Sequence, residues 1–145
     1  MSTRISKNFT LEEFTASATA KEKHITNIPN QQQVLNLSAL VHNVLQPLRD
    51  YHGREIKIGS GFRSPLLNKA VGGVSNSQHM NGEAADLFIE GNKMMGKRWF
   101  TWIMENCDFD QLIWEHNDKG TYWVHVSYRS DGKNRRYVVN NLTKR

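Results

Sequence analysis

Two histidines and one aspartate in this sequence are candidate metal ligands, because of their side chains and of the residues around them. His79 lies at the end of a polar loop, and Asp86 follows seven residues later inside an apolar stretch. His125 lies in a second apolar stretch, residues 123–126. An ionisable group among apolar residues is costly to bury unless something pairs with it, and a divalent cation would satisfy all three. Two imidazoles and one carboxylate, with a fourth position left for water, are the composition of a catalytic zinc site.

Each of these residues also has an ordinary structural explanation. A histidine in a strand is more often a satisfied core residue than a ligand, and a buried aspartate often caps a turn or accepts backbone hydrogen bonds. The spacing of His79 and Asp86 alone is therefore weak evidence. Gly82, between them, would let the chain turn back so that both side chains converge. Cys107 is the only cysteine, which excludes a thiolate-rich metal site and an intramolecular disulfide.

Length and composition predict one domain over residues 1–145. Of these residues 38% are hydrophobic and 23% charged, which is ordinary for a soluble globular protein. No run approaches the roughly 18 apolar residues that span a membrane. Residues 1–10 are polar and lack the apolar centre of a signal peptide. We therefore expect synthesis in the cytoplasm, and we expect a monomer.

The formal net charge is +5, and basic residues cluster in a short tail over about residues 130–145. The cluster comprises Lys133, Arg135, Arg136, Lys144 and Arg145. Nucleic acid and an anionic cell-wall polymer are both possible partners of such a surface, and a solvated tail is the plain alternative. The tail lacks the interleaved aromatic residues of a groove for single-stranded nucleic acid.

Hydrophobic periodicity and turn residues predict an α+β domain with an antiparallel sheet and helices packed around it. Helices are predicted over residues 11–17, with Thr10 and Glu13 as a capping box, over 34–48, over 65–71 and over 93–106. Strands are predicted over residues 55–59, 84–89, 110–115 and 122–128, with a further edge strand over 136–140. Loops are expected over 18–30 and over 74–82. Pro47 is expected to kink the second helix or to set its last turn, and Gly53 to end that segment.

The segment from Ser60 to Asp86 closely resembles the zinc D-alanyl-D-alanine carboxypeptidases. Members of this group share a fold with the VanX dipeptidases, several phage endolysins and the Hedgehog signalling domain. Their pattern is Ser-Gly-x-Arg, then Ser-x-His-x-x-Gly-x-Ala-x-Asp, then a strand with the last histidine. Here the pattern falls on residues 60–63, on residues 77–86 and on His125. The stretches 8–14 and 44–49 also resemble the sequences of this group, so the resemblance spans about residues 8–128.

The resemblance implies a role for each matching residue. The zinc ligands fall on His79, Asp86 and His125, and one zinc ion is expected. Arg63 matches the arginine that contacts substrate and stabilises the developing oxyanion, a task that suits a fixed, permanently charged donor. Ser77 matches a substrate-contacting serine. The plain alternatives are a surface ion pair for Arg63 and a loop-ordering hydrogen bond for Ser77.

The general base is the point where this sequence departs from many relatives, which have an acid three residues before the last histidine. Tyr122 stands there, and tyrosine is a poor base near neutral pH. Glu115 is the preferred substitute. If the turn centres near residues 118–119, Glu115 lies across from Tyr122 and its carboxylate enters the site from the neighbouring strand. His116 and Asp118 are weaker candidates, and the plain alternative for Glu115 is a polar residue at the end of a strand.

The resemblance implies metal-assisted hydrolysis of cell-wall stem peptides that contain D-amino acids. A small basic chain of this kind resembles a phage or prophage lysin, released by a holin or carried by the virion. The main alternative is a zinc-containing domain that binds cell-wall peptides without cutting them, as the departure at Tyr122 would allow. A basic nucleic-acid-binding or structural phage protein is the second alternative, against which the central motif argues.

Overall fold

The helices precede the last strands along the chain in the computed structural model, which describes residues 2–144. The strands are β1 Arg4–Ser6, β2 Phe9–Thr10, β3 Ile58–Ser60, β4 Ala84–Phe88, β5 Gln111–Asn117, β6 Tyr122–Ser127 and β7 Tyr137–Lys144. The helices are α1 Leu11–Thr15, α2 Ala18–Glu22, α3 Gln31–Leu40, α4 Gln46–His52, α5 Pro65–Ala70 and α6 Lys93–Asn106. A π-helical turn, Val41–Leu45, joins α3 to α4, and a 3₁₀ turn, Gln78–Asn81, precedes β4. Met1 and Arg145 lie outside the described residues.

A five-stranded sheet of order β3-β4-β6-β5-β7 places the predicted strand residues side by side. The pairs β3–β4, β4–β6 and β5–β6 are antiparallel, as the sequence predicts. The pair β5–β7 is parallel, which the predicted antiparallel sheet did not include. The α+β class is confirmed, with one parallel pair at the edge.

One face of this sheet packs against helices and forms the hydrophobic core. Leu87, Val124 and Leu112 of the three central strands are fully buried there. Trp99 and Ile103 of α6 pack into the same core, together with the apolar side of α3 and α4. Because side chains alternate across a strand, the intervening residues of β4, β5 and β6 must face the other side. The second face of the sheet is not covered by these helices, and the candidate site lies on it.

The predicted long helix forms, and its irregular turn lies just before Pro47. The backbone N–H of Gln46 donates to the carbonyl of Val41, five residues back. Proline has no backbone N–H and its ring crowds the preceding turn, so a widened turn next to it is expected. The helix continues through Pro47 to His52, and Gly53 ends it in the left-handed conformation, with a φ of 77°.

Several element boundaries differ from the sequence prediction, and three of the differences involve the loops and strand near the site or α1. The predicted loop after α1 contains α2, whose first turn is capped by the Ser17 hydroxyl accepting from the N–H of Ala20. Strand β3 begins at Ile58 rather than residue 55, because its partner β4 ends at Phe88. The predicted loop over 74–82 contains the 3₁₀ turn that carries His79. Each difference concerns a short element, for which hydrophobic periodicity gives little information.

The basic C-terminal segment forms an edge strand over part of its length, and most of its residues are exposed. Strand β7 extends to Lys144, beyond the predicted limit at residue 140. Arg135, just before it, is bound through its guanidinium to the buried Asp110. Within residues 2–144, no helix is both long and apolar enough to cross a membrane.

Gly82 is required where the chain turns from the 3₁₀ turn into β4. Its φ is 74°, and a Cβ added there would collide with the backbone carbonyl oxygen of Gln33 in α3. Helix α3 also holds this turn through the side chain of Gln33, which donates to the Met80 carbonyl at 3.0 Å. The expected role of Gly82, turning the chain between His79 and Asp86, agrees with this geometry.

We expect Gly82→Ala to destabilise the protein more than Gly91→Ala does. Both glycines have a positive φ, which costs alanine roughly 1–2 kcal/mol, but a Cβ at Gly91 meets nothing within 4 Å. The collision with α3 should add about 1–3 kcal/mol at Gly82. Chemical denaturation of the two variants measures the difference. Equal losses would show that the approach of α3 places no constraint on this turn.

Candidate metal centre and active-site cleft

Three predicted ligands converge on the open face of the sheet. Asp86 of β4 and His125 of β6 are directly paired residues, and their side chains lie on the same face. The Nδ1 atom of His125 lies 2.9 Å from Oδ1 of Asp86, and Nε2 of His79 lies 3.4 Å from the same oxygen. Two ligands of a tetrahedral zinc ion lie about 3.3 Å apart, given metal–ligand bonds of about 2.0–2.1 Å. One ligand atom from each residue lies within 4.8 Å of the others, so the three could hold a metal ion.

The ring of His79 is oriented for ligation by the backbone of the Ser-Gly-x-Arg stretch. Its Nδ1 lies 2.7 Å from the carbonyl oxygen of Gly61. A carbonyl only accepts, so Nδ1 must donate and Nε2 keeps its lone pair, directed at Asp86. The N–H of Arg63 donates to the His79 carbonyl at 3.1 Å. An imidazole whose other nitrogen is fixed in this way is the usual arrangement of a metal-binding histidine.

The electrostatics of the cluster favour an ionised aspartate beside a neutral imidazole. Burial raises the pKa of Asp86, but its interactions with His79 and His125 outweigh burial and hold that pKa well below its usual range. Burial lowers the pKa of His79, an effect that the neighbouring Asp86 opposes. Metal ligands must be deprotonated, so these are the forms that coordination requires.

Arg63 is fixed beside the ligands by three acceptors. Its Nε donates to the Ser60 hydroxyl at 3.0 Å and its Nη1 to Oδ1 of Asn68 at 3.1 Å. Its Nη2 lies 3.5 Å from Oδ2 of Asp86. Burial lowers the pKa of the guanidinium, and Asp86 and Glu115 oppose that shift, so the group remains charged. The ion pair is with a candidate metal ligand at the floor of the cleft and not with a surface partner.

Gly73 makes room for this arrangement. A Cβ at residue 73 would collide with the side-chain oxygen of Asn68 and lie 2.8 Å from Nη1 of Arg63. Asn68 is itself buried and donates to the Val74 carbonyl at 2.8 Å. The sequence prediction assigned no role to Asn68 or Ser60. Their polar character within the motif segment was the only available signal.

Glu115 points to the ligands, but through a register that differs from the predicted one. It is paired with Trp123, not Tyr122, and Tyr122 is paired with His116. This difference of one residue decides which face of the sheet Glu115 occupies. Glu115 lies on the same face as its partner Trp123, and His125, two residues further along β6, lies on that face too. Oε1 of Glu115 lies 3.6 Å from Nδ1 of His125, and the side chain is 3% exposed. Across from Tyr122, Glu115 would have faced the helices.

Tyr122 and the two weaker candidates lie away from the ligands. The Tyr122 ring packs against Trp114 and His116, and Lys93 lies 4.3 Å above it. His116 also contacts the hydroxyl of Thr143 through Nε2 at 3.1 Å. Asp118 is exposed in the turn between β5 and β6. Of the acids considered as bases, Glu115 is the one beside the triad.

Ser77 lies next to the first ligand and is mostly buried. Its hydroxyl accepts a hydrogen bond from the N–H of His79 at 3.2 Å, which orders the 3₁₀ turn. Its side chain also lines the cleft. The loop-ordering alternative is thus observed, and substrate contact by Ser77 remains a prediction.

One cleft of about 480 Å³ is lined by the three candidate ligands and by Arg63, Ser77 and Glu115. Polar side chains that the sequence prediction did not assign to the site also line it, namely Gln78, Gln111, Trp123 and Arg135. The positions of Gln111 and Trp123 in the cleft follow from the alternation of side chains along β5 and β6, once the register of these strands is known. Arg135 could not be found in this way, because β7 pairs with β5 in parallel across a long connection.

Comparisons with known proteins agree with this site. A stretch of 44 residues is 52% identical to a protein described as zinc D-Ala-D-Ala carboxypeptidase, from Streptomyces albus G. The stretch covers 30% of this chain and 17% of that protein. The model of the family described as peptidase M15 matches residues 7–127, which include the three ligands, Arg63 and Glu115. The chain therefore belongs to the peptidase M15 family.

Proposed function

We propose that this protein is a zinc-dependent peptidase that hydrolyses peptide bonds in cell-wall stem peptides containing D-amino acids. His79, Asp86 and His125 hold one zinc ion, Glu115 is the general base, and Arg63 binds substrate and the developing oxyanion. The observation that carries the proposal is the convergence of an acid and a guanidinium on the His-Asp-His cluster inside one cleft. Membership of a peptidase family supports it.

Zinc fits the donor set better than other common divalent ions. Two imidazole nitrogens and one carboxylate oxygen are the ligands of many catalytic zinc sites, whereas magnesium and calcium prefer oxygen alone. When bound, the ion supplies a Lewis acid and lowers the pKa of a water molecule. The fixed tautomer of His79 keeps the lone pair that such an ion needs.

Glu115 moves the proton in the proposed reaction. Its carboxylate accepts a proton from the attacking water as the new C–O bond forms at the scissile carbonyl carbon. The same carboxyl then gives that proton to the amine nitrogen as the C–N bond breaks. Its position, 3.6 Å from a candidate ligand atom, supports this role, since a base must lie within reach of the proton that it takes.

Arg63 stabilises the charge that develops on the carbonyl oxygen. Ser60, Asn68 and Asp86 hold the guanidinium before substrate arrives. A preorganised charged donor in a water-poor site needs no reorganisation during the reaction, which is the main source of such stabilisation. Ser77, two residues before His79, contributes a further substrate contact from the same wall of the cleft.

The proposed substrate follows from the family and from the similar protein, which is described as a zinc D-Ala-D-Ala carboxypeptidase. The positive charge of the chain suits an anionic wall. A phage or prophage lysin that reaches the wall after synthesis in the cytoplasm is the biological setting that we propose.

The non-catalytic alternative is a domain that binds zinc and wall peptides without cutting them. The absence of an acid at Tyr122 motivated this alternative. The position of Glu115, on the same face as His125 and close to it, instead favours catalysis.

Each ligand variant should lose zinc. We expect the wild-type protein to bind one equivalent, and His79→Ala, Asp86→Ala and His125→Ala to bind at least about 100-fold more weakly. His116→Ala is the matched control, because that histidine lies in the adjacent strand on the opposite face. Titration with zinc, followed by calorimetry and metal analysis, measures the affinities. Wild-type affinity in any of the three ligand variants would remove that residue from the site.

Glu115→Gln should keep zinc and lose turnover. Glutamine has nearly the same shape but cannot accept the proton, so we expect a fall in kcat of at least about 100-fold. Peptidoglycan digestion, with the products mapped by mass spectrometry, measures turnover, and Glu105→Gln on the exposed side of α6 is the control. A chelator should abolish wild-type cleavage and added zinc restore it. Near-normal turnover of Glu115→Gln would mean that another group is the base.

A further inference from the structure

The C-terminal segment forms a wall of the cleft that lies outside the matched family region. The family match ends at residue 127, and the chain continues through a loop into β7. Strand β7 pairs with β5 so that Leu142 lies opposite Glu115. Arg135, just before β7, and Leu142 both line the cleft that contains the metal centre. Arg135 and Leu142 therefore add to the surface of the cleft from outside the matched region.

Arg135 is held in a fixed position by a buried carboxylate. Its Nε and Nη2 donate to the two oxygens of Asp110, at 3.0 and 2.8 Å, and its backbone N–H donates to Oδ1 at 3.0 Å. Two parallel bonds to one carboxylate fix the plane of a guanidinium as well as its position. Gln78, which precedes the ligand His79, donates to the same Asp110 at 2.9 Å. One carboxylate thus ties Arg135 to the turn that carries the first ligand.

The cation is accessible in this pair and the anion is not. Asp110 is fully buried, with an exposed fraction of 0%, whereas the Arg135 side chain is 57% exposed. Asp110 engages two of the five N–H donors of the guanidinium, which leaves three for a second acceptor. Arg63, by contrast, is only 15% exposed and faces Asp86. Arg135 is thus the more accessible of these two cations in the cleft.

We propose that Arg135 binds a carboxylate of the substrate peptide away from the scissile bond and so sets a preference for anionic peptides. This inference rests on the proposed peptidase function and specifies the substrate that the site prefers. The carboxylate comes either from the C-terminus of the peptide or from an acidic side chain. Both sources present the planar pair of oxygens that a guanidinium binds.

The test compares matched peptides that differ in one carboxylate. A stem-type peptide is prepared with its acids free, with its C-terminus amidated, and with its acidic side chain amidated. For each peptide, kcat and KM are measured with the wild-type protein, Arg135→Gln, Arg135→Lys and Lys133→Gln. Lys133 is an exposed cation two residues away, so its variant controls for net charge.

For Arg135→Gln we expect kcat/KM to fall about 10-fold or more on the free-acid peptide, mainly through KM. The peptide lacking the recognised carboxylate should be affected little, which identifies the source. Arg135→Lys should retain part of the preference, and Lys133→Gln all of it. A structural role for Arg135 would instead lower activity on all three peptides equally. That result, or no change on any peptide, would overturn the proposal.

Failure of the peptidase function can be told apart from failure of this inference. Should the zinc-loaded wild-type protein cleave none of the peptides, the proposed function fails, and dissociation constants of the three uncleaved peptides test Arg135 instead. A preference for the free-acid peptide that Arg135→Gln removes supports the inference in that case too. Equal affinities for all three peptides would contradict it.

Discussion

The carboxylate of Asp86 in the middle of β4 is the constraint on which the rest of the site depends. Its side chain is only 16% exposed, and burying such a charge is costly without partners. His79, His125 and Arg63 each approach it within 3.5 Å, from three different parts of the chain. The same carboxylate is thus the shared partner of both imidazoles and of the Arg63 guanidinium. The 3₁₀ turn, strand β6 and the loop after β3 all have to meet at this point.

The register of the strands places two of the candidate ligands and Glu115 on the same face of the sheet. The pairing of Asp86 with His125 puts two ligands on one face, and the pairing of Glu115 with Trp123 adds the acid to that face. A shift of one residue in the β5–β6 hairpin would place Glu115 among the helices and Trp114 in the cleft. The burial of Trp114, Leu112 and Val124 against α6 and its neighbours opposes such a shift. The hydrophobic core therefore maintains the position of the proposed base.

Much of this arrangement could be predicted from the sequence, for identifiable reasons. The three candidate ligands could be proposed because they match a family motif of fixed spacing, whereas the spacing of His79 and Asp86 alone is weak evidence. The apolar residues of α3–α4 and of α6 recur at the three- and four-residue spacing that predicts a helix. The pairing partner of Glu115 is Trp123 and not the predicted Tyr122. The pairing depends on which residues form the turn after Asn117, and the sequence does not distinguish two turns that differ by one residue. Arg135 and the parallel pairing of β7 depend on long-range contacts, which no local pattern encodes.

We propose that one zinc ion binds among His79, Asp86 and His125, with Glu115 beside it. Anomalous X-ray diffraction at the zinc absorption edge, on crystals of the zinc-loaded protein, tests this most directly. We expect one strong peak within bonding distance of these three side chains, with the Glu115 carboxylate facing it across the cleft. A zinc peak bound by other residues, or a Glu115 side chain turned away from the ion, would contradict it.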